Sequence, residues 1–463
     1  MLCKYVCLIL FSTPHSQCAN ILALVPTTSY SHQIAYAPLW KALSLNGHNV
    51  TLLTPNPMNN PKLTNLTEIS MNWAYQFVAN LSYKTEFEIT MWNFHTTLST
   101  GMDFLCDKVL SSHVGQDLLH NEHNFDLVFV ENVCPELLGF AEIYNCPKVL
   151  IATMSLSSIF YNILGDFAHP ISHPEFVVSF QGQLSFRERL ISTIVTLYLH
   201  YTFAYILFPK KQKMLQTYFN NTSTIPELIR SIDMLFLNEN PHLHGPRPTG
   251  PATITIGGHR DDLSLESLPT VLWKFETKII NLPENIRTAK WLPQQKILNH
   301  PNLKLFICQG GLQSIEEAIY GEVPFVIIPF IADQFQNAKM LENKDIAIVL
   351  DRKTLTKNVL NNAIMKVMND TNYYEGVKKL KKLILDEPMT GLQKAVWWTE
   401  YIIRNKGAKH LKNPAASIPL YQYYLLDVIG MLMLIVTLII TALVLALKKI
   451  SKLLCRFHHR KQK

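Results

Sequence analysis

The sequence predicts an α/β protein of two doubly wound halves that face each other across a cleft, followed by one transmembrane helix. Short β-branched runs alternate with longer amphipathic stretches along the 463 residues, a pattern typical of parallel βαβ units. The alternation begins anew near residue 250. A run of 23 residues, 425–447, contains one charged residue, Asp427, and about 20 apolar residues suffice to cross a bilayer.

The first half is predicted to contain four strands and one clear helix. The helical pattern covers residues 35–45 and ends at Gly47, which we interpret as a C-cap. The strands are short apolar runs at 20–25, 50–54, 127–131 and 149–153. Doubly wound units bind ligands at the carboxyl ends of their strands, so the cleft is the expected ligand site.

The second half is predicted to contain five strands followed by three helices. The strands are at 271–275, 286–291, 303–308, 325–329 and 346–350. The helices are at 356–368, 373–385 and 392–405, and Gly407 closes the last of them.

Residues 190–208 form a further apolar segment that could be read as another span. A second span would carry the basic end of the chain to the opposite side of the membrane, against the positive-inside rule. The segment also contains His200 and several hydroxyl side chains. We therefore expect a buried helix or one that lies along the membrane surface.

The two ends of the chain predict a membrane-anchored protein with a lumenal body. Residues 1–18 place Lys4 before a short apolar run, which is the layout of a secretory signal peptide. Residues 448–463 hold seven Lys or Arg and no acidic residue, which accounts for the net charge of +7. A basic tail belongs on the cytosolic side, and its last residues loosely resemble a dibasic endoplasmic-reticulum retrieval signal. The rest of the chain is formally neutral, so we expect no nucleic-acid partner.

Cysteines and glycosylation sequons fit the same compartment. The four cysteines between leader and tail allow three pairings and form no CxxC motif, so neither a metal site nor a dense disulfide framework is expected. They are Cys106, Cys134, Cys146 and Cys308. Sequons begin at Asn65, Asn80, Asn220, Asn221 and Asn369.

The segment 291–337 carries the clearest chemistry. A strand ending at Cys308 runs into Gln309, Gly310 and Gly311 and then into a helix, where backbone amides and the helix dipole favour a phosphate. The same segment adds an aromatic side chain, a helical carboxylate and an Asp-Gln pair, which are Trp291, Glu317, Asp333 and Gln334. Taken singly, each could be a core or solvated side chain; together they offer base stacking, diphosphate binding and hydroxyl recognition.

In the order W-x-P-Q, H-P, G-G, E, G-x-P and D-Q, this segment resembles the donor-binding signature of the UDP-glycosyltransferase family. The resemblance implies that Trp291 stacks on uracil and that Gln294 contacts uridine. It further implies that the other matching positions bind the diphosphate (Ser314 with the amides of Gly310 and Gly311), the ribose (Glu317) and the sugar hydroxyls (Asp333 and Gln334). Gln309 stands where the family more often has His, although an insect branch resembles this chain with Q-G-G-L-Q-S. A Gln donates to a phosphate but adds no positive charge.

The opening of the first half, ANILALVPTTSYSHQIAYAPLWKALSLNGHNVTLLTP, resembles the acceptor domain of the same family. A His at the strand-to-helix turn is the general base there, which implies this role for His32. A neutral imidazole can take a proton from an alcohol, and a helix N-terminus disfavours the imidazolium. The family orients this His with an Asp, and FDLVFVENV aligns Glu131 at that position. Because Glu is one methylene longer, the contact requires a small shift.

The resemblance implies a GT-B-like enzyme of two Rossmann-like domains, an acceptor-binding domain at 19–250 and a UDP-sugar donor-binding domain at 251–424. It would transfer a hexose from a UDP-sugar to a hydroxyl of a small lipophilic acceptor with inversion. The UDP-sugar is a co-substrate, and we expect no other cofactor and no metal. We expect the protein to lie in the endoplasmic-reticulum membrane with one transmembrane span and to serve in detoxification. A homo-oligomer is compatible with this expectation. Glucose and glucuronic acid both remain open as the sugar.

The resemblance breaks between Gly258 and Val271, where about fifty residues of the family pattern have no counterpart and five strands stand in place of six. A missing mid-sheet strand would leave backbone groups unpaired or force them to pair anew. This leaves an alternative open, a catalytically inactive, membrane-anchored truncated isoform that acts as a binding or partner protein. A soluble nucleotide-sugar epimerase is disfavoured by the leader and the anchor.

Overall fold

The computed structural model describes residues 18–76, 90–220, 222–257, 271–277, 279, 282–283 and 285–461, with side chains described to residue 452. The chain divides into two compact units, one ending at Asn413 and the other beginning at Pro414. Several predictions fall outside the described residues. These are nearly all of the leader 1–18, the sequons at Asn80 and Asn221, and most of the segment where the family pattern breaks.

The first half is built on a parallel sheet of seven strands in the order β3-β2-β1-β4-β5-β6-β7. These are β1 Asn20–Leu24, β2 Asn49–Thr54, β3 Leu66–Ser70, β4 Leu127–Glu131, β5 Lys148–Ala152, β6 Met234–Leu237 and β7 Thr253–Thr255. Strand β1 lies between β2 and β4, since Ile21 pairs with both Val50 and Leu127. The strand order reverses at this point, which places a crevice at the carboxyl ends of β1 and β4.

Both faces of this sheet are covered. Leu22 and Leu24 lie in one hydrophobic core and Ile21 and Ala23 in the other, because alternate side chains of a strand point to opposite faces. The helices of this half are α1 Tyr30–Leu45, α2 Phe94–Ser111, α3 His113–His120, α4 Gly139–Ile143, α5 Ser158–Leu164, α6 Phe186–Thr202, α7 Phe208–Phe219, α8 Ile225–Arg230 and α9 Pro241–His244.

The four predicted strands of the first half are present, but the prediction missed three more. Strand β3 is partly exposed along its length, β6 (MLFL) has no β-branched residue, and β7 is three residues long. Each therefore lacks the long apolar β-branched run on which the prediction depended.

The five predicted strands of the second half are also present, and among the described residues they form two sheets. Strand β8 Val271–Lys274 pairs with β9 Ile286–Ala289. Strands β10 Phe306–Cys308, β11 Phe325–Ile327 and β12 Ala347–Val349 form a separate parallel sheet. Strand β10 is at the edge of this sheet, and Ile307 within it is 44% exposed. In the described part of the second half, two separate sheets thus stand where a complete doubly wound unit has one continuous sheet.

Six helices are described in the second half, and the last of them packs against the first half. They are α10 Gln294–Leu298, α11 Leu312–Tyr320, α12 Gln334–Glu342, α13 Lys357–Asn369, α14 Thr371–Leu385 and α15 Gly391–Asn405. Ala395 and Ile402 of α15 lie in the same core as Trp40 of α1. Helix α15 therefore helps to cover the first sheet.

The apolar segment 190–208 lies in one long helical run from Phe186 to Phe219, in which a short π-helix, Phe203–Leu207, joins α6 to α7. Val195 and Leu199 are buried on one side of the run, while Leu197 and Tyr201 are exposed on the other. One face packs into the first half as a core helix does, and the other meets solvent.

The second unit contains α16 Leu420–Tyr423 and the long helix α17 Leu426–Lys461. Helix α17 covers the predicted span, 425–447, apart from its first residue. Within the part of the chain that the structure describes, two helical runs are long and apolar enough to cross a membrane, Leu426–Lys452 and Phe186–Phe219.

A disulfide joins Cys106 in α2 to Cys134, just after β4, with Cα atoms 6.2 Å apart. This is one of the pairings that the sequence left open, and Cys146 and Cys308 are free thiols.

Among the described sequons, Asn65 is half-buried and Asn220 and Asn369 are exposed.

Candidate active site

His32 and Glu131 meet at the carboxyl ends of neighbouring strands. His32 lies in the first turn of α1, which follows β1, and Glu131 is the last residue of β4. The imidazole Nδ1 is 2.6 Å from Glu131 Oε1, and the Glu131 side chain is fully buried. The longer Glu side chain therefore reaches His32. A carboxylate that accepts from Nδ1–H leaves Nε2 as the basic nitrogen.

Two threonines complete this pair. The second oxygen of Glu131, Oε2, accepts from the Thr27 hydroxyl at 2.6 Å and from the Thr27 amide at 3.3 Å. The Thr153 hydroxyl lies 2.9 Å from His32 Nδ1 and 3.3 Å from Nε2. Both carboxylate oxygens thus have partners, which fixes the orientation of the buried acid. Neither threonine was predicted to have a role, although Thr153 ends a predicted strand beside β4.

The Gly-Gly turn after β10 presents an open helix N-terminus. Gly310 has φ +88°, and a Cβ there would come within 3.0 Å of Ile327 Cγ2 and 3.1 Å of the Gln334 carbonyl oxygen, so this position requires glycine. Gly311 is the N-cap residue of α11 and makes no side-chain cap hydrogen bond. A Cβ on Gly311 would meet no atom within 4 Å. The first amides of α11 are therefore available to an anionic group.

Three of the predicted donor-binding residues contact one another. Gln294, the first residue of α10, donates from Nε2 to Ser314 Oγ at 3.0 Å and to Glu317 Oε2 at 2.6 Å. Ser314 and Glu317 lie one turn apart on α11. The structure thus brings together one amide, one hydroxyl and one carboxylate beside the Gly-Gly turn.

Trp291 joins the two halves of the first unit. Its side chain is 58% exposed, so it is no core aromatic. Its ring meets that of Tyr30, the first residue of α1, edge-on at 4.7 Å between centroids, and Lys274 Nζ lies 5.8 Å from its centroid. Burial raises the pKa of Tyr30, and the charge of Glu317 raises it further. Tyr30 was not predicted as a site residue, since an isolated Tyr carries no motif.

Asp333 and Gln334 follow β11 and begin α12. Gln334 Oε1 accepts from the Phe330 and Ile331 amides at 2.9 and 3.1 Å, and its Nε2 is 3.4 Å from Gln309 Oε1. The amide of Gln334 thus closes its own turn and also contacts the Gln that replaces the usual His.

Asp333 is linked both to the Gly-Gly turn and to His32. The buried Asn337 donates from Nδ2 to Asp333 Oδ2 at 2.8 Å and to the Gly310 carbonyl at 3.0 Å. Burial raises the pKa of Asp333, while the hydrogen bond from Asn337 and the charge of His32 oppose that rise. The predicted base and the predicted sugar-binding carboxylate therefore share one cleft. Asn337 was missed, although its i, i+4 spacing from Asp333 on a helix is a usable signal.

A cavity of about 80 Å³ lies beside this cleft. Its lining from the first half includes Ser155, Phe180, Glu239 and Arg247, and its lining from α12 includes Asn337. Asn337, which lines the cavity, donates to Asp333. Ser155, which also lines it, follows two residues after Thr153, which contacts His32.

The chain is similar to one family of known proteins along nearly its whole length. The family described as UDP-glucoronosyl and UDP-glucosyl transferase matches residues 21–266 and 263–463. UDP-glucosyltransferase 2 of Dactylopius coccus is 30% identical over 476 aligned positions, covering 92% of this chain and 91% of that protein. UDP-glucuronosyltransferase 2B15 of Homo sapiens is 30% identical over 481 positions, covering 89% of each.

Solved structures share the fold. The glycotransferase of kitacinnamycin superposes with a TM-score of 0.57 at 15% identity, covering 84% of this chain and 100% of that one. The glycosyltransferase VinC, solved in complex with DTDP, has a TM-score of 0.56 at 15% identity, with 83% and 100% covered. These likenesses confirm the predicted GT-B-like α/β architecture.

Proposed function

Because the chain belongs to the UDP-glucuronosyl and UDP-glucosyl transferase family, matched over nearly its whole length, we propose how it performs sugar transfer from a UDP-sugar. His32 acts as general base on a hydroxyl of a small lipophilic acceptor, and the acceptor oxygen attacks the anomeric carbon. The bond from that carbon to the UDP phosphate breaks, and a single displacement of this kind inverts the configuration. The family itself makes the protein a glycosyltransferase that uses a UDP-sugar.

The observation that carries this proposal is the His32–Glu131 pair. The imidazole gains a positive charge when it takes the acceptor proton, and a carboxylate 2.6 Å from Nδ1 stabilises that charge. Because Glu131 is buried and held by Thr27, it needs little reorganisation when the proton moves. Glu131 thus positions and stabilises His32 without contacting the substrate.

The residues of the second half are proposed to bind the UDP-sugar and to stabilise the leaving UDP. We assign uracil stacking to Trp291, a uridine contact to Gln294 and ribose binding to Glu317. The Gly310 and Gly311 amides with Ser314 are assigned to the diphosphate, where the dipole of α11 offsets the charge that develops on the leaving UDP. Asp333, with Gln334 and Gln309 nearby, is assigned to the sugar hydroxyls, since its carboxylate accepts hydrogen bonds within the electrostatic reach of His32.

Substitution of the His32–Glu131 pair tests this proposal. The full chain in detergent should release UDP and form product with UDP-glucose or UDP-glucuronic acid and a panel of hydroxylated acceptors. His32→Ala should lower kcat by about 10²-fold or more while UDP still binds. The matched control is His123→Ala, because His123 also pairs with a carboxylate, Asp117, at 3.2 Å but lies outside the cleft. Equal activity of His32→Ala and His123→Ala would refute the assignment.

The alternative is a membrane-held protein that binds the UDP-sugar without turnover. Three observations support it. The family matches in two pieces that meet at residues 263–266, and the alignment with the Dactylopius coccus relative runs over 476 positions, more than this chain contains. Among the described residues, the strands of the second half form two sheets, with β10 at the edge of one of them. Saturable UDP-sugar binding by calorimetry, with no product from any acceptor, would establish this alternative.

We also propose that α17 anchors the chain in the endoplasmic-reticulum membrane, with the first unit in the lumen. The basic tail after the apolar stretch supports this orientation. Exposed Asn220 and Asn369 should then carry glycans in an animal cell. A drop in apparent mass after glycosidase treatment, smaller in a variant with both residues changed to Gln, is the expected result. Unglycosylated protein would argue against a lumenal body.

A further inference from the structure

Helix α6 and the π-helix after it present an apolar stripe on the surface of the first unit. The stripe consists of six exposed side chains spaced three or four residues apart, which places them on one face of a helix. They are Phe186, Leu190, Ile194, Leu197, Tyr201 and Tyr205. Leu197 is 64% exposed and Tyr205 is 71% exposed. The opposite face is buried against the protein through Val195 and Leu199, so the stripe points outward.

From Leu190 onward, no polar residue interrupts the exposed face of the stripe. Every exposed residue from Leu190 to Leu207 is aliphatic or aromatic. Besides the residues of the stripe, the exposed residues in this range are Ala204 and Ile206. A run of this length extends about 25 Å along a helix. Soluble surfaces rarely leave so long an apolar row uncovered, and such rows mark contact with a lipid or a protein.

Basic residues stand at both ends of the stripe. Arg187 and Arg189 are exposed in the first turn of α6, and Lys210 and Lys213 are exposed in α7. Glu188, the acidic residue of this region, is engaged in the capping box with Ser185, whose amide donates to it at 2.8 Å. Cationic side chains that flank an apolar face are attracted to anionic lipid headgroups while their stems cover apolar surface.

Aromatic residues of a neighbouring segment extend the same surface. Trp92 is 42% exposed, its ring meets that of Tyr198 edge-on at 5.2 Å, and Tyr198 donates to the Trp92 carbonyl. Met91 beside it is also exposed. Trp and Tyr are the residues that concentrate at the boundary between headgroups and hydrocarbon.

We propose that the apolar stripe, with Trp92, lies in the lipid–water interface of a bilayer with anionic headgroups. A full span is incompatible with the burial of Val195 and Leu199 against protein. A second copy of the chain is a poorer partner. With positive charge at both ends of the stripe, two stripes packed together would bring like charges into contact in either direction.

Docking of this face has a consequence for the cavity beside the cleft. Residues 171–184, which precede α6, supply Ile171, His173, Phe180 and Leu184 to the cavity lining. The wall of the cavity therefore continues directly into the lipid-facing helix. If the proposed function holds, a lipophilic acceptor dissolved in the bilayer would reach the cavity along this wall; this consequence alone rests on the proposed function.

Lipid photocrosslinking tests the docking without reference to catalysis. The full chain is reconstituted into vesicles of phosphatidylcholine and phosphatidylserine that contain a lipid with a diazirine in its acyl chain. After illumination, adducts are mapped by mass spectrometry. We expect adducts on peptides covering 186–206 as well as on peptides of α17, and the latter report that the chain is inserted. Adducts on α17 alone would overturn the proposal.

A matched pair of triple variants sharpens the test. Replacing Leu197, Tyr201 and Tyr205 with Gln should lower adduct formation on the stripe about tenfold and leave the adducts on α17 unchanged. Replacing the exposed Met365, Met368 and Leu383 of α13 and α14 with Gln should leave both unchanged. The map of the parent chain decides the matter even if a variant folds poorly. An amine crosslinker that joins Lys210 or Lys213 of two copies, without lipid adducts on the stripe, would identify a second copy as the partner and overturn the proposal.

Discussion

The ring of Tyr30 meets the ring of Trp291 edge-on, with centroids 4.7 Å apart and planes at 87°. Tyr30 opens the helix that carries His32, and Trp291 precedes the helix that begins at Gln294. One aromatic contact therefore joins the proposed base to the proposed nucleotide site across the cleft.

Trp291→Ala should weaken binding of UDP about tenfold or more, because stacking of a base on an aromatic ring contributes about 1–3 kcal/mol. Titration calorimetry with UDP measures the loss. Tyr30→Ala removes only the edge contact and should weaken binding less, while Tyr30→Phe keeps the ring and should bind as the parent does. Trp397→Ala is the control, since Trp397 is 44% exposed on α15 away from the donor residues. Unchanged affinity in Trp291→Ala would exclude stacking at this ring.

Glu131→Gln should lower kcat by about 10²-fold or more and change KM for the UDP-sugar little, because the lost charge stabilises His32 only as it takes the proton. Glu131→Asp should retain more activity than Glu131→Gln, since it restores the charge at a greater distance. Steady-state kinetics with each variant separate these outcomes. A Glu131→Gln enzyme with parental kcat would show that the carboxylate has a structural role only.

The fold was predictable where the apolar signal is continuous. Strand β4 occurs at the predicted residues because its five side chains are all buried, and such strands read as unbroken hydrophobic runs. Helix α1, by contrast, begins at Tyr30 and not at residue 35. Its first turn contains polar residues and is held in place by Gln33, whose Nε2 donates to the Val25 and Thr27 carbonyls at 3.1 and 2.8 Å. Such tertiary hydrogen bonds leave no periodic pattern in the sequence.

The candidate site was predictable where the residues fall in one segment. The residues from Trp291 to Gln334 were found together because their spacing is local, whereas Tyr30, Thr27 and Thr153 join the site only through the packing of strands and halves. Glu131 was located by alignment with an Asp, and its contact with His32 depends on side-chain reach, which only the structure provides. The division of the second half into two sheets likewise depends on which strands pair.

His95 should make the protein less stable in acid. Burial lowers the pKa of His95 to about 4 from its usual 6.5, and its ring is packed against Phe94, Phe176 and Phe203. Below pH 6.5 the unfolded chain binds a proton there that the folded protein does not, so stability is lost as the pH falls from 6.5 toward 4. At about 1.4 kcal/mol per pH unit, the loss reaches about 3 kcal/mol.

His95→Phe should remove this acid sensitivity because Phe fits the aromatic surroundings and does not titrate. Denaturant unfolding in detergent at pH 7 and at pH 4.5 measures the difference in free energy of unfolding, which should be smaller in the variant than in the parent. His123→Phe replaces a half-exposed imidazole and should leave the parental difference in place. An unaltered pH dependence in His95→Phe would show that another group is responsible.

The stability of the protein should respond differently to alanine at the two glycines of the Gly-Gly turn. Gly310 has φ +88°, and a Cβ there meets Ile327 Cγ2 at 3.0 Å and the Gln334 carbonyl oxygen at 3.1 Å. Gly310→Ala should therefore lower the free energy of unfolding by about 1–3 kcal/mol. Gly311 has φ −66° and open space around its Cα, so Gly311→Ala should leave stability unchanged.

Since the same open space is where a diphosphate would approach the α11 amides, Gly311→Ala should still weaken UDP binding. Thermal unfolding and UDP titration of both variants separate backbone strain from ligand access, and a stable Gly311→Ala that binds UDP as the parent does would remove the diphosphate from this turn.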